Sequence, residues 1–125
     1  MKAYSVVDEE VGYCQGMSFV GGLLLVHTTE EQAYILFKTL MYGANLRMQY
    51  MPDMAQLKLQ LYQLTRIVHD KAPAVYEHFV RHEIEPFLYA TPWFLSLFCT
   101  QFPSEFCTRV LGTLLFGPQS DVQSP

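Results

Sequence analysis

The sequence predicts an all-α fold, on three observations. Apolar residues recur at spacings of three and four along most of the chain, as one face of a helix requires. Helix punctuation is frequent, with proline, threonine or aspartate opening the periodic runs and glycine closing several of them. Hairpin chemistry is missing: there is no Asn-Gly pair and no sustained alternation of apolar and polar residues.

The elements follow in order. Residues 17–27 read as a buried helix, with Phe19, Leu23 and Val26 at helical spacing. Gly21 and Gly22 inside it would let a neighbouring helix come close, at about 1 kcal/mol of helix propensity each. Thr28-x-x-Glu31 has the form of a capping box and starts the next helix, which carries Ala33, Phe37, Leu40 and Met41 on one face. Gly43 stops it. Pro52 and Asp53 open the longest helix, over 53–69, whose stripe is Leu57, Leu61, Leu64 and Val68. Pro73 restarts a helix bearing Val75, Phe79 and Val80. Thr91-Pro92 reads as an N-cap followed by proline at the first helical position, leading into 93–101. Pro103-Ser104 begins the last helix, with Phe106, Val110, Leu111 and Leu114 inward. Gly117-Pro118 ends it, and 118–125 is polar and patternless, so a disordered tail is expected after a structured unit at 1–117.

Bulk properties exclude several classes. A chain of 125 residues is long enough for one domain with its own core. Its charged fraction is only 16%, against roughly 25% in ordinary globular chains. Little polar surface is therefore on offer, which suits a piece of a larger helical domain. A net charge of -4 without a basic run argues against a nucleic-acid partner. The 3 cysteines form no CxxC pair, which fits a reducing compartment. No apolar run approaches the roughly 20 residues a membrane span needs. Asp8, Glu9 and Glu10 also interrupt anything resembling a secretory signal.

One short stretch, Gly12-Tyr13-Cys14-Gln15-Gly16, has chemical interest. A carboxamide offers an acceptor oxygen and two N–H donors, so it can hold a water and an anionic oxygen together. Gly16 has no Cβ and Gly12 tolerates unusual backbone angles, so something bulky can approach the amide. The plainer reading is that Gln15 caps the helix that follows. Other candidates are weaker. His78 and His82 could share a helix face, but no third ligand has fitting spacing and Pro86 stands where HExxH needs its second histidine, so no metal is expected. Cys14 has no partnering base in the sequence. Gly21-Gly22 lacks the Lys-Ser or Lys-Thr of a nucleotide-binding loop. Trp93, between apolar neighbours, reads as core.

The segment Tyr4-Ser5-Val6-Val7-Asp8-Glu9-Glu10-Val11-Gly12-Tyr13-Cys14-Gln15-Gly16-Met17-Ser18-Phe19 resembles the glutamine-finger motif of TBC-domain proteins, the GTPase-activating proteins of Rab GTPases. The resemblance continues through Leu46-Arg47-Met48-Gln49-Tyr50-Met51-Pro52-Asp53-Met54 and Tyr62-Gln63-Leu64. It resumes at His82-Glu83-Ile84-Glu85-Pro86 and Tyr89-Ala90-Thr91-Pro92-Trp93-Phe94-Leu95. It is most similar to the branch of large multidomain TBC proteins that regulate insulin-responsive vesicle traffic.

The resemblance implies an all-α, partial TBC-type domain over 1–117 that activates a Rab-family small GTPase. Gln15 would be the glutamine that places the attacking water, with Tyr13 and Gly16 beside it at the Rab. Asp8, with Glu9 and Glu10, would either meet basic groups of a GTPase switch region or form a solvated run. GTP and Mg²⁺ would belong to the partner, so the chain carries no cofactor and runs no reaction of its own. It would be cytoplasmic and reach vesicle membranes through the Rab, without inserting.

The family's second finger, an arginine in an IxxDxxR motif upstream of the glutamine, has no match here. Arg47, Arg66, Arg81 and Arg109 all lie downstream of Gln15 and read as solvated or ion-paired. An arginine finger is worth about 10³–10⁵ in rate. These residues alone are therefore expected to be nearly inert. Phe116-Gly117-Pro118-Gln119-Ser120 also departs from the family pattern, so a partial domain is expected. The rival reading is a non-catalytic module that binds a Rab or another TBC chain.

Overall fold

The computed structural model describes residues 1–117; the tail expected at 118–125 lies outside the described residues. Among the described residues there are seven α-helices and no strand. They are α1 (Lys2–Val7), α2 (Met17–His27), α3 (Glu30–Lys38), α4 (Ala55–Lys71), α5 (Pro73–Arg81), α6 (Pro86–Leu95) and α7 (Ser104–Phe116). A wide turn, Thr39–Gly43, prolongs α3, and a 3₁₀ helix, Leu46–Tyr50, leads toward α4. No helix among the described residues is long and apolar enough to cross a membrane.

Two apolar clusters hold these elements together. In the first, α2 packs on α3, and Met17, Val20, Leu24, Phe37, Leu40 and Met41 form an apolar centre joined by Leu111 of α7. Tyr4 of α1 is buried there, edge-on to the Phe37 ring at 4.9 Å between centroids. In the second, α4 packs on α6 through Leu57, Leu61 and Ala90, with Leu64, Tyr89 and Trp93 around them. Leu95, at the end of α6, touches both clusters. Trp93 takes the core role expected of it, edge-on to Tyr89 and Phe102.

Several local expectations shift. The capping box lies one residue later than Thr28-x-x-Glu31. Thr29 is the N-cap, its hydroxyl accepts from Gln32 N–H at 3.3 Å, and the Gln32 side chain accepts from Thr29 N–H at 3.2 Å. Thr28 instead closes α2 by donating its hydroxyl to the Leu24 carbonyl. Within α2 the buried face is Met17, Val20 and Leu24, while Phe19 and Val26 are exposed. A helix apolar all round carries no stripe from which the inward face can be read. Gly21 is approached only by the Met1 side chain, and Gly22 faces open space.

The helix expected over 93–101 starts earlier. Glu85-Pro86 opens α6, so Pro92 falls inside it and the chain turns at 96–101. Pro92 has no N–H to offer the Leu88 carbonyl, and Leu88 is a solvent-exposed residue. In α7 the inward residues are Cys107 and Leu111, with Val110 and Leu115 beside them; Phe106 and Leu114 lie outward. In α4 the expected stripe stands, with Leu57 and Leu61 buried and Leu64 and Val68 half-buried. On α5 only Phe79 of the expected apolar residues is drawn in, and Val75 and Val80 are exposed.

Candidate functional site

The stretch that carries Gln15 is the loop 8–16 between α1 and α2, and it is fastened at several points. Where the chain leaves α1, the Asp8 carboxylate is 4% exposed and receives four hydrogen bonds. The Tyr4 hydroxyl donates at 2.5 Å, Arg47 donates Nε at 3.0 Å and Nη2 at 2.9 Å, and Val11 N–H donates at 3.4 Å. This two-pronged pairing is the strong geometry for a guanidinium and a carboxylate. Arg47 also reaches Glu10 at 3.0 Å and lies over the Tyr42 ring.

The protonation states follow. Above all the Arg47 hydrogen bonds, then Tyr4 and Val11, hold the Asp8 carboxyl well below the usual carboxylate range, against the opposing effect of burial. Burial, with Asp8 beside it, pushes the Tyr4 phenol up, so it stays a donor. Asp8 is charged and spoken for. The chain's own arginine, 39 residues away, occupies its carboxylate.

The middle of the loop turns at Gly12, whose φ is +61° and whose N–H donates to the Asp8 carbonyl at 2.7 Å. Val11 is buried in the first apolar cluster, and Cys14 N–H donates to the Met17 sulfur at 3.1 Å. The loop's far end rests on α6. Gly16 is buried with φ +102°, and a Cβ built on it would stand 2.4 Å from the Leu95 carbonyl oxygen and 2.7 Å from its carbon. The missing Cβ therefore admits the chain's own backbone. Leu95 is itself held, since the Tyr50 hydroxyl donates to its carbonyl at 2.7 Å, and Gln49 Nε2 donates to the carbonyl of Phe94.

Between these fastenings the side chains of Gln15 and Tyr13 stand exposed. Gln15 does not cap α2: the N-cap is Gly16, and no side chain accepts from the first turn. Tyr13, 59% exposed, makes only a long 3.5 Å bond to Ser18 Oγ. Two open grooves, of about 540 and 670 Å³, lie at α4–α5–α6 and at α1–α2–α3, and Gln15 lines neither. The candidate site is thus a projecting amide on an anchored loop, suited to entering another molecule's site.

The other candidates are not joined to it. Cys14 is half-buried and burial raises its thiol, the opposite of an activated nucleophile. His78 and His82 are neighbours on the surface, with ring centroids 4.4 Å apart. Among the described residues no group of three or more His, Cys, Asp or Glu is placed to hold a metal ion. What sequence reasoning missed is the 3₁₀ helix Leu46–Tyr50 as the source of three fastenings; its polar residues between two apolar ends were the available signal.

Comparison with known proteins gives these positions a context. The family model described as the RabGAP TBC domain matches residues 1–117. TBC1 domain family member 4 of Mus musculus is 56% identical over 114 residues, which cover 91% of this chain and 9% of that protein. TBC1 domain family member 1 of Homo sapiens is 54% identical over 114 residues, covering 91% and 10% respectively. The Rab GTPase-activating protein eat-17 of Caenorhabditis elegans is 43% identical over 115 residues, covering 92% of this chain and 13% of its own. The chain thus spans about a tenth of the length of the curated relatives it matches.

Proposed function

The chain belongs to the RabGAP TBC domain family, and from that premise we propose that it forms part of a GTPase activator of Rab-family small GTPases, with Gln15 as its glutamine finger. GTP and Mg²⁺ sit on the Rab, which also brings the chain to vesicle membranes. One observation carries the reading: Gln15 is an exposed amide with no capping duty, on a loop whose two ends are tied to the body of the fold.

Hydrolysis of the γ-phosphate needs an oriented water and a cation for the developing charge. The Gln15 carboxamide meets the first need, its oxygen accepting from the water and its N–H donating to a phosphate oxygen. It does not meet the second, because an amide dipole carries no net charge to set against the phosphoryl group. None of these arginines stands in for the missing finger. Arg47 is spent on Asp8 and Glu10, and Arg66, Arg81 and Arg109 lie on α4, α5 and α7. The 125 residues by themselves therefore stimulate weakly, and full rate requires an arginine supplied from outside them. Of the four expected contact positions, Gln15 and Tyr13 face the Rab, whereas Asp8 and Gly16 hold the loop from behind.

The test is single-turnover GTP hydrolysis over a panel of GTP-loaded Rab proteins. It compares the chain with a chimera in which residues 1–117 replace the matching stretch of the mouse relative. In the chimera, Gln15→Ala is expected to lower the rate by about 100-fold or more with little change in Rab affinity. In the chain alone the same change should alter almost nothing. Robust acceleration by the unmodified chain would refute the external arginine. An undiminished rate for the Gln15→Ala chimera would leave a non-catalytic Rab-binding module.

A further inference from the structure

The 3₁₀ helix Leu46–Tyr50 has three polar side chains with no part in the chemistry above, and all three reach the Gln15 loop or the surface beneath it. Arg47 grips Asp8 with two nitrogens at the loop's start. Gln49 and Tyr50 hold the carbonyls of Phe94 and Leu95, and Leu95 is the backbone on which Gly16 rests at the loop's end. Gln49 and Tyr50 are each only 2% exposed, so the donors they aim at α6 are shielded from competing water. In a 3₁₀ helix, side chains three apart eclipse, which puts Arg47 and Tyr50 on one side of the element. Leu46 and Tyr50 seat it in the first apolar cluster.

From this geometry we infer that Arg47, Gln49 and Tyr50 are positioning residues for Gln15, setting where its carboxamide stands when a Rab docks. The inference rests on the finger reading of Gln15. Its physical ground is tolerance. A catalytic group has to be held within about 0.5 Å of its productive position. A misplacement of about 1 Å can cost 100-fold. The stretch between Gly12 and Gly16 has no regular secondary structure of its own to supply that precision. A five-residue element tied to both ends does, although it is 39 residues from the loop's start in sequence.

A purely stabilising role for the same bonds is separated by a kinetic double-mutant cycle in the chimera, with a thermal melt recorded for each protein. Arg47→Lys keeps the charge and gives up the two-pronged grip. Tyr50→Phe keeps the ring and deletes the donor to Leu95. With Gln15 present, each is expected to lower the saturating single-turnover rate about 10-fold and to move the half-saturating concentration less than about 2-fold. With Gln15→Ala, each should lower the rate by less than about 2-fold, because there is no amide left to misplace. Losses that persist undiminished with Gln15→Ala, or no loss from either variant, would overturn the positioning role and leave the finger in place. A Gln15→Ala chimera as fast as its parent would overturn the finger reading and this inference with it. Should either variant fail to fold, Tyr4→Phe is put through the same cycle. It deletes one bond to Asp8 and leaves the ring against Phe37.

Discussion

Replacing Gly16 by alanine tests the seat of the Gln15 loop most directly. The added methyl would stand 2.4 Å from the Leu95 carbonyl oxygen and 2.7 Å from its carbon. Both are backbone atoms, so no side chain can swing away, and loop and α6 would have to part by about 1 Å to reach ordinary contact distance. Forcing an extra methyl into a packed site typically costs about 1–3 kcal/mol. The φ of +102° adds to this, since a left-handed conformation costs a residue with a Cβ roughly 1–2 kcal/mol. Together the two give about 2–5 kcal/mol. At roughly 4 °C per kcal/mol for a chain of this size, the melting midpoint should fall by about 8–20 °C. Thermal unfolding followed by far-ultraviolet circular dichroism reads this, with Gly22→Ala as the control. A Cβ at Gly22 meets nothing within 4 Å and sits in a helix, so that change should be neutral or stabilising by up to about 1 kcal/mol. A Gly16→Ala midpoint no lower than that of Gly22→Ala would refute the close approach of loop and helix.

Asp8 makes stability depend on acid. Its folded carboxyl is held below the ordinary value of 3.8, so its contribution is complete above about pH 4 and is lost as the pH falls through the folded value. Asp8→Asn should cost about 2–4 kcal/mol near neutrality, with Arg47 losing its buried partner. The same variant should flatten the decline of the melting midpoint below pH 4, and an equally steep decline would show that other carboxyls set it. Thr29→Ala should cost about 1 kcal/mol by loss of the capping box, and Thr28→Ala clearly less. Urea midpoints compare the two, and equal losses would contradict the assignment of Thr29 as N-cap. Gln15→Ala should change stability by less than about 0.5 kcal/mol, because its side chain is exposed and caps nothing. A larger loss would mean that the amide has a structural duty.

The sequence by itself determined that the chain is helical and where most helices run, and it singled out Gln15 as the candidate for chemistry. Those are local matters, settled by apolar spacing, by proline and glycine, and by a motif of adjacent residues. Even locally, two adjacent threonines offered two capping registers, and two X-Pro pairs offered two starts for α6. Cooperative packing of the whole helix chose between them. Only the tertiary structure decided which face of the uniformly apolar α2 turns inward, because that depends on where α3 lies. It also decided the fate of Asp8-Glu9-Glu10. As a string these are three equivalent carboxylates; in the fold Asp8 is buried and ionised, because the chain brings Arg47 to it from 39 residues away. A buried charge is tolerated only beside its counter-charge. Nothing within hydrogen-bonding reach along the sequence could announce that partner, and the same is true of Gly16, whose missing Cβ is filled by the Leu95 carbonyl.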